Sequence, residues 1–154
     1  MKSIRRLVSA SLATALVTGA LTAALSSPAS ADAANCTNGA NGFTNIPYNK
    51  TGTPVSGKTA DLGGSRRVEL HKGIINGVEH GWAIIMGATQ AGDLVWMDWT
   101  STYANGWVQC GPFTVQGNSS VNTSAAKNTS PAAGYWFRAC GRRVGGPSVC
   151  GDWW

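Results

Sequence analysis

With 154 residues, 43% of them hydrophobic, the chain is long enough for one small domain and short for two. Its formal charge is +5, but Lys2, Arg5 and Arg6 account for three of those charges, and the rest of the chain is close to neutral. That balance excludes the basic stripe that nucleic acid needs and the charge run that a membrane surface needs.

Residues 1–31 read as a secretory signal peptide: a basic start, an apolar run over 7–25, then Ala29-Ser30-Ala31 as a small-residue cleavage site before Asp32. Ser9, Ser11, Thr14, Thr18, Gly19 and Thr22 interrupt the run, and no stop-transfer cluster follows it, which argues against a membrane anchor. No later segment reaches the length of a bilayer span. The expectation is an exported, extracellular protein with no membrane span once the signal is removed.

Residues 32–64 are rich in Asn, Thr, Gly, Ala and Ser, with Phe43, Ile46, Tyr48 and Val55 as their substantial apolar side chains. So little apolar surface predicts a flexible or extended N-terminal arm. From 65 to 154 short apolar runs alternate with turn dipeptides, the pattern of an all-β domain. Asn76-Gly77 between 67–75 and 78–88 predicts a type I′ hairpin, since both residues tolerate positive φ. Its register pairs Ile75 with Val78, Leu70 with Ala83 and Val68 with Ile85, and these form a core-facing side. Glu69, His71, His80, Trp82 and Ile84 fall on the other side.

Two more strands follow the turns at Gly92-Asp93 and Asn105-Gly106, over 94–99 and 107–115; Pro112 makes a central place for the second unfavourable. The polar stretch 116–134 reads as a long exposed connection, and strands over 135–140 and 148–154 close the chain. Asn-x-Ser/Thr sites at Asn35, Asn49, Asn118, Asn122 and Asn128 come almost free in so Asn- and Thr-rich a sequence and are assigned no role.

Cys36, Cys110, Cys140 and Cys150 are an even set in an exported chain and predict two disulfides. Spacing favours Cys140 with Cys150 and Cys36 with Cys110, without deciding the connectivity. No C-x-x-C pair supports zinc. The predicted fold is therefore a small disulfide-stapled sandwich or barrel with an extended N-terminal arm.

Val68-Glu69-Leu70, Trp82-Ala83, Gly92-Asp93-x-Val95-Trp96-x-Asp98, Gly106-Trp107 and Arg138-Ala139-Cys140-Gly141 followed by Cys150-x-x-Trp153 together form a pattern. It resembles small secreted actinobacterial β-rich disulfide modules, some of them attached to extracellular glycoside hydrolases. The resemblance implies a secreted module with no established activity and does not make the chain a hydrolase. It also leads one to expect a cysteine in the hairpin turn, and 73–79 has none, so the disulfide pattern of such modules does not carry over.

Glu69, His71 and His80 share a face and could in principle hold a divalent metal, but a diagonal spacing of ~7–8 Å is long for a shared ion, and no metal or other cofactor is assigned. No serine sits in a Gly-x-Ser-x-Gly turn. Glu69, Glu79, Asp93 and Asp98 are the carboxylates open to glycosyl transfer, yet a turn explains Asp93 and the hairpin flank explains Glu79. The chain is read as non-catalytic.

Seven tryptophans remain to be explained. Trp96 and Trp136 are placed in the core and Trp153-Trp154 as a plug on the last strand; Trp96 and Trp99 have opposite parity on one strand, so one indole faces outward. The function expected is a secreted binding module, an extracellular protein-interaction or adaptor component, with Phe43, Ile46 and Tyr48 of the arm and Trp96 and Trp99 as binding residues. A carbohydrate or cell-wall polysaccharide module using exposed indoles is the alternative, and an antagonistic toxin or inhibitor a third.

Overall fold

The computed structural model describes residues 32–154; the expected signal peptide, 1–31, lies outside the described residues. Two 3-10 segments, Ala33–Asn35 and Thr37–Gly42, precede the strands. The strands are β1 (Phe43–Thr44), β2 (Thr53–Gly63), β3 (Arg66–Ile75), β4 (Val78–Gly87), β5 (Leu94–Thr100), β6 (Val108–Thr114), β7 (Asn122–Thr123), β8 (Ala126–Asn128), β9 (Trp136–Arg142) and β10 (Ser148–Cys150). One antiparallel sheet runs β1-β8-β4-β3-β2, with β7 also paired to β4; the other runs β10-β9-β5-β6. The two sheets pack as a sandwich, with separate edges rather than barrel closure. Among the described residues no helix is long and apolar enough to cross a membrane.

The hairpin has the register its turn dictates, with Ile75 opposite Val78, Leu70 opposite Ala83 and Val68 opposite Ile85. Asn76 and Gly77 both take positive φ, as a type I′ turn requires. Val68, Leu70, Ala83 and Ile85 are fully buried and meet Val95 and Met97 of β5 and Phe137 and Ala139 of β9 across the sandwich. Pro112 lies in β6, which is an edge strand.

The far side of the hairpin is not open to solvent: Trp82 is 0% exposed, Ile84 2% and His71 5%. Segment 45–52 meets it there. The Trp82 indole N–H donates to the Lys50 carbonyl at 3.3 Å, and the Thr123 hydroxyl donates to the Pro47 carbonyl at 3.2 Å. Gly52 lies so close that a Cβ there would stand 2.5 Å from Trp82 Cζ2 and 2.6 Å from the Lys72 carbonyl oxygen.

Residues 32–64, expected as a flexible or extended arm, are extended and lie against the body, which keeps the extended alternative and corrects the flexible one. Cys36 and Phe43 are core residues, β2 pairs along β3, and the expected boundary at 64/65 falls inside the β2–β3 turn. The stretch 116–134 is corrected likewise. It contains β7 and β8, and 122–127 is buried, because its small polar side chains are hydrogen-bonded: the Ser124 hydroxyl accepts from Ala83 N–H and donates to the Ala125 carbonyl, and the Asn122 amide donates to the Thr114 carbonyl.

The disulfides are Cys36–Cys110 and Cys140–Cys150, and no described cysteine is free. The first spans 74 residues and fastens the N-terminal segment to β6; the second joins directly opposed residues of β9 and β10. Asp93, 0% exposed, accepts from the backbone N–H of Gln90 and Val144 and pairs with Arg66, linking the turn before β5 to the β9–β10 loop and to β3.

Gly52→Ala should cost about 1–3 kcal/mol, because the added methyl overpacks a contact with no room to give. Urea unfolding of the 32–154 protein measures it, and a midpoint equal to wild type would show that segment 45–52 does not seal Trp82.

Candidate functional site

The sites expected from sequence separate into three places. Phe43 and Trp99 meet edge to face at 6.2 Å inside the core periphery, and the Lys127 ammonium lies 4.6 Å from the Trp99 ring centre. Phe43 is 2% exposed and has no surface to offer a partner. Ile46 and Tyr48 stand on the covering segment, where Tyr48 is 66% exposed between two cavities of about 260 and 400 Å³. Trp96, expected in the core, is 7% exposed but lies on the outer face of the four-stranded sheet and not between the sheets.

That outer face is built from alternate residues of neighbouring strands. Val95, Met97 and Trp99 turn inward, so Leu94, Trp96 and Asp98 turn out. On β9 the inward residues are Phe137 and Ala139, so Arg138, Cys140 and Arg142 turn out beside them. Trp136 shares that outward parity and packs against Tyr103, edge to face at 5.4 Å, rather than in the core as expected. The register sets three rungs: Asp98 beside Arg138, Trp96 beside Cys140, and Leu94 beside Arg142. Strand β10 continues two of them, with Cys150 opposite Cys140 and Ser148 opposite Arg142.

Trp107 and Gln109 flank these rungs, and together they line a groove of about 380 Å³. The Arg138 guanidinium lies between two indoles, 5.0 Å from the Trp107 ring centre and 4.5 Å from that of Trp153. It donates to Asp98 Oδ2 through Nε at 2.8 Å and Nη2 at 2.7 Å. Asp98 is 2% exposed, and its other oxygen, Oδ1, has no hydrogen-bond partner in the structure. Burial pushes the Asp98 carboxyl above its ordinary 3.8, outweighing the opposing pull of Arg138.

No other carboxylate of the expected set is left in this state. Glu69 is held by Arg67 and His71; burial raises its pKa, but those hydrogen bonds and charges together bring it below the ordinary value. Glu79 is held low by hydrogen bonds from Lys72 and Thr129, and it lines a cavity of about 400 Å³ beside Tyr135 and Trp154 in which its own partners satisfy it. The four carboxylates therefore each serve a separate cation. His71 bonds Glu69, and His80 Nδ1 bonds the Val78 carbonyl, so Glu69, His71 and His80, to which the sequence assigned no metal, do not converge. An Asp98 oxygen and the Cys140 and Cys150 sulfurs lie within 4.8 Å of one another, but those sulfurs are joined to each other and offer no thiolate.

Sequence reasoning missed Arg138, Arg142, Trp107 and Trp153 as one assembly. The parity of Leu94, Trp96 and Asp98 was readable, whereas the β5–β9 register across a 35-residue gap was not. Comparison with protein-family models, with curated proteins and with solved structures finds no match to this chain.

Because folded Asp98 holds its proton more tightly than the unfolded carboxyl, it favours the fold below pH 3.8, and that contribution is lost as pH rises through its folded pKa. Glu69 and Glu79 act in the opposite sense. Subtracting Asp98→Asn from wild type isolates the Asp98 part: the wild-type advantage in urea unfolding should shrink from pH 3 towards neutrality. A difference that grows with pH would mean that Arg138, not burial, dominates.

Proposed function

We propose that the chain is an exported, non-catalytic binding module whose ligand site is the groove on the outer face of β10-β9-β5-β6, and that the groove takes an extracellular polysaccharide. Export is supported by the signal-like residues 1–31 and by two disulfides, which persist in oxidising compartments.

The observation that carries the polysaccharide reading is Asp98, a wall residue of the groove beside Trp107 and the largely buried Trp96, whose buried Oδ1 has no hydrogen-bond partner among the described residues. A carboxylate oxygen only accepts, so its complement is a donor on the ligand, and a polyhydroxylated ring supplies donors on its rim and C–H faces for indoles. The non-catalytic reading is supported by the separate engagement of Glu69, Glu79, Asp93 and Asp98, each with its own cation and none paired with another about one glycosidic bond.

A second reading, docking of an extracellular protein, is favoured by Tyr48, an exposed aromatic flanked by two cavities. The arm is no longer its instrument, since β2 and Phe43 are committed to the fold.

Trp107 is 41% exposed and can be changed without opening the core. Trp107→Ala should weaken retention on an insoluble polysaccharide roughly tenfold, the scale of one hot-spot side chain. Tyr48→Ala should leave it unchanged. The reverse pattern, measured by depletion from solution and by capture of an extracellular protein, would favour docking at the covering segment.

A further inference from the structure

The groove carries an unbalanced charge. Arg138 and Arg142 both face it from β9, four residues apart, which the strand rise makes about 13–14 Å. The charge of Arg138 is matched by Asp98. Arg142 stands on the third rung beside Leu94 and Ser148, is exposed, and makes no ion pair or side-chain hydrogen bond among the described residues. Asp93, whose turn immediately precedes Leu94, is already occupied by Arg66 and by the Gln90 and Val144 amides. One end of the groove thus has in its wall a buried carboxylate oxygen without a donor, and the other an exposed guanidinium without a protein acceptor among the described residues.

We infer that the groove selects an acidic glycan, a polyhydroxylated polymer bearing carboxylate or phosphate groups, with Arg142 as the residue that recognises the anion. This rests on the polysaccharide reading and narrows it. The planar guanidinium fork matches a carboxylate or a phosphate with two parallel hydrogen bonds. Asp98 requires a hydroxyl donor at the other end, and an anion there would be repelled. A neutral glycan leaves Arg142 unused, and a plain polyanion leaves Asp98 unpaired; the two ends are satisfied together only by a ligand with hydroxyls and a spaced anion. The separation of the two ends spans more than one ring, so the ligand is an oligomer.

Retardation of the disulfide-intact 32–154 protein in native gels cast with soluble polymers tests this. Polygalacturonate supplies carboxylates, poly(glycerol phosphate) supplies phosphates, dextran is neutral, and poly-glutamate is a polyanion without sugar. Retardation by one or both acidic polyols is expected, and the arm that responds identifies the anion. It should weaken with added salt and fall roughly tenfold in Arg142→Gln, the scale of a lost charge-assisted contact. Circular dichroism of that variant should equal wild type, since the Arg142 side chain is exposed and makes no ion pair or side-chain hydrogen bond among the described residues. Equal retardation by dextran, lost in Trp107→Ala but not in Arg142→Gln, would overturn the anion selectivity and leave the polysaccharide reading standing. Retardation by poly-glutamate as strong as by polygalacturonate would overturn the glycan class, and no retardation by any polyol would overturn both.

Discussion

Trp82 faces away from the opposite sheet and must still be buried, and most of the six-stranded side of the molecule follows from that constraint. A single sandwich covers one face of a strand; β4 is buried over six consecutive residues, His80 to Ile85, so a third layer is needed. Segment 45–52 supplies it. The segment is poor in apolar side chains, and it is held by what it lends through its backbone: the Lys50 carbonyl to the indole, the Pro47 carbonyl to Thr123, and a side-chain-free approach at Gly52. Lys127 adds a second fastening, donating to the carbonyls of Asn41 and Gly42 while its ammonium lies over Trp99. Burial lowers the Lys127 pKa, so this tether is made at a cost in desolvation.

The four-stranded sheet meets a different problem on its outer face. An ion pair that is mostly removed from water stabilises only when Coulombic attraction and hydrogen bonds outweigh desolvation. At Asp98 they do not, because its pKa is raised despite two hydrogen bonds from Arg138. An acceptor that is buried and half-satisfied in the wall of a groove is poorly explained by stability, and the proposed ligand would account for it by bringing the missing donor. The same comparison separates Asp98 from Asp93, which is as deeply buried but fully engaged and is accounted for by the three segments it joins.

The hairpin was legible because everything that determines it is local: the Asn76-Gly77 turn sets the register, and period-two alternation sets the core side. Disulfide formation was legible from an even cysteine count, and the edge position of β6 from Pro112. The segments 32–64 and 116–134 were not. Sequence polarity counts side chains, and there burial is achieved with Ser, Thr and Asn groups whose partners are backbone groups of distant strands, such as Ser124 with Ala83 and Asn122 with Thr114. The tryptophans show the same limit. Parity separated Trp96 from Trp99, but Trp96 was placed in the core and it is Trp99 that packs against the core between the sheets. Trp136 was misplaced because the Cys140 side of β9 is the outer one.

The two disulfides consequently have different physical roles. Cys36–Cys110 lies wholly within the core and closes a long loop, so its effect falls mainly on the unfolded chain. Cys140–Cys150 lies on the outer face, where it clamps a three-residue edge strand too short to hold its place by pairing alone. That strand carries Ser148 and Cys150 along the groove and leads to Trp153, whose carbonyl accepts from Lys58 at 2.6 Å and whose ring backs Arg138. Ordering a loose edge at the moment of binding would subtract from affinity. With the bridge in place that ordering is already present in the fold, so the second disulfide is part of the groove as much as of the scaffold.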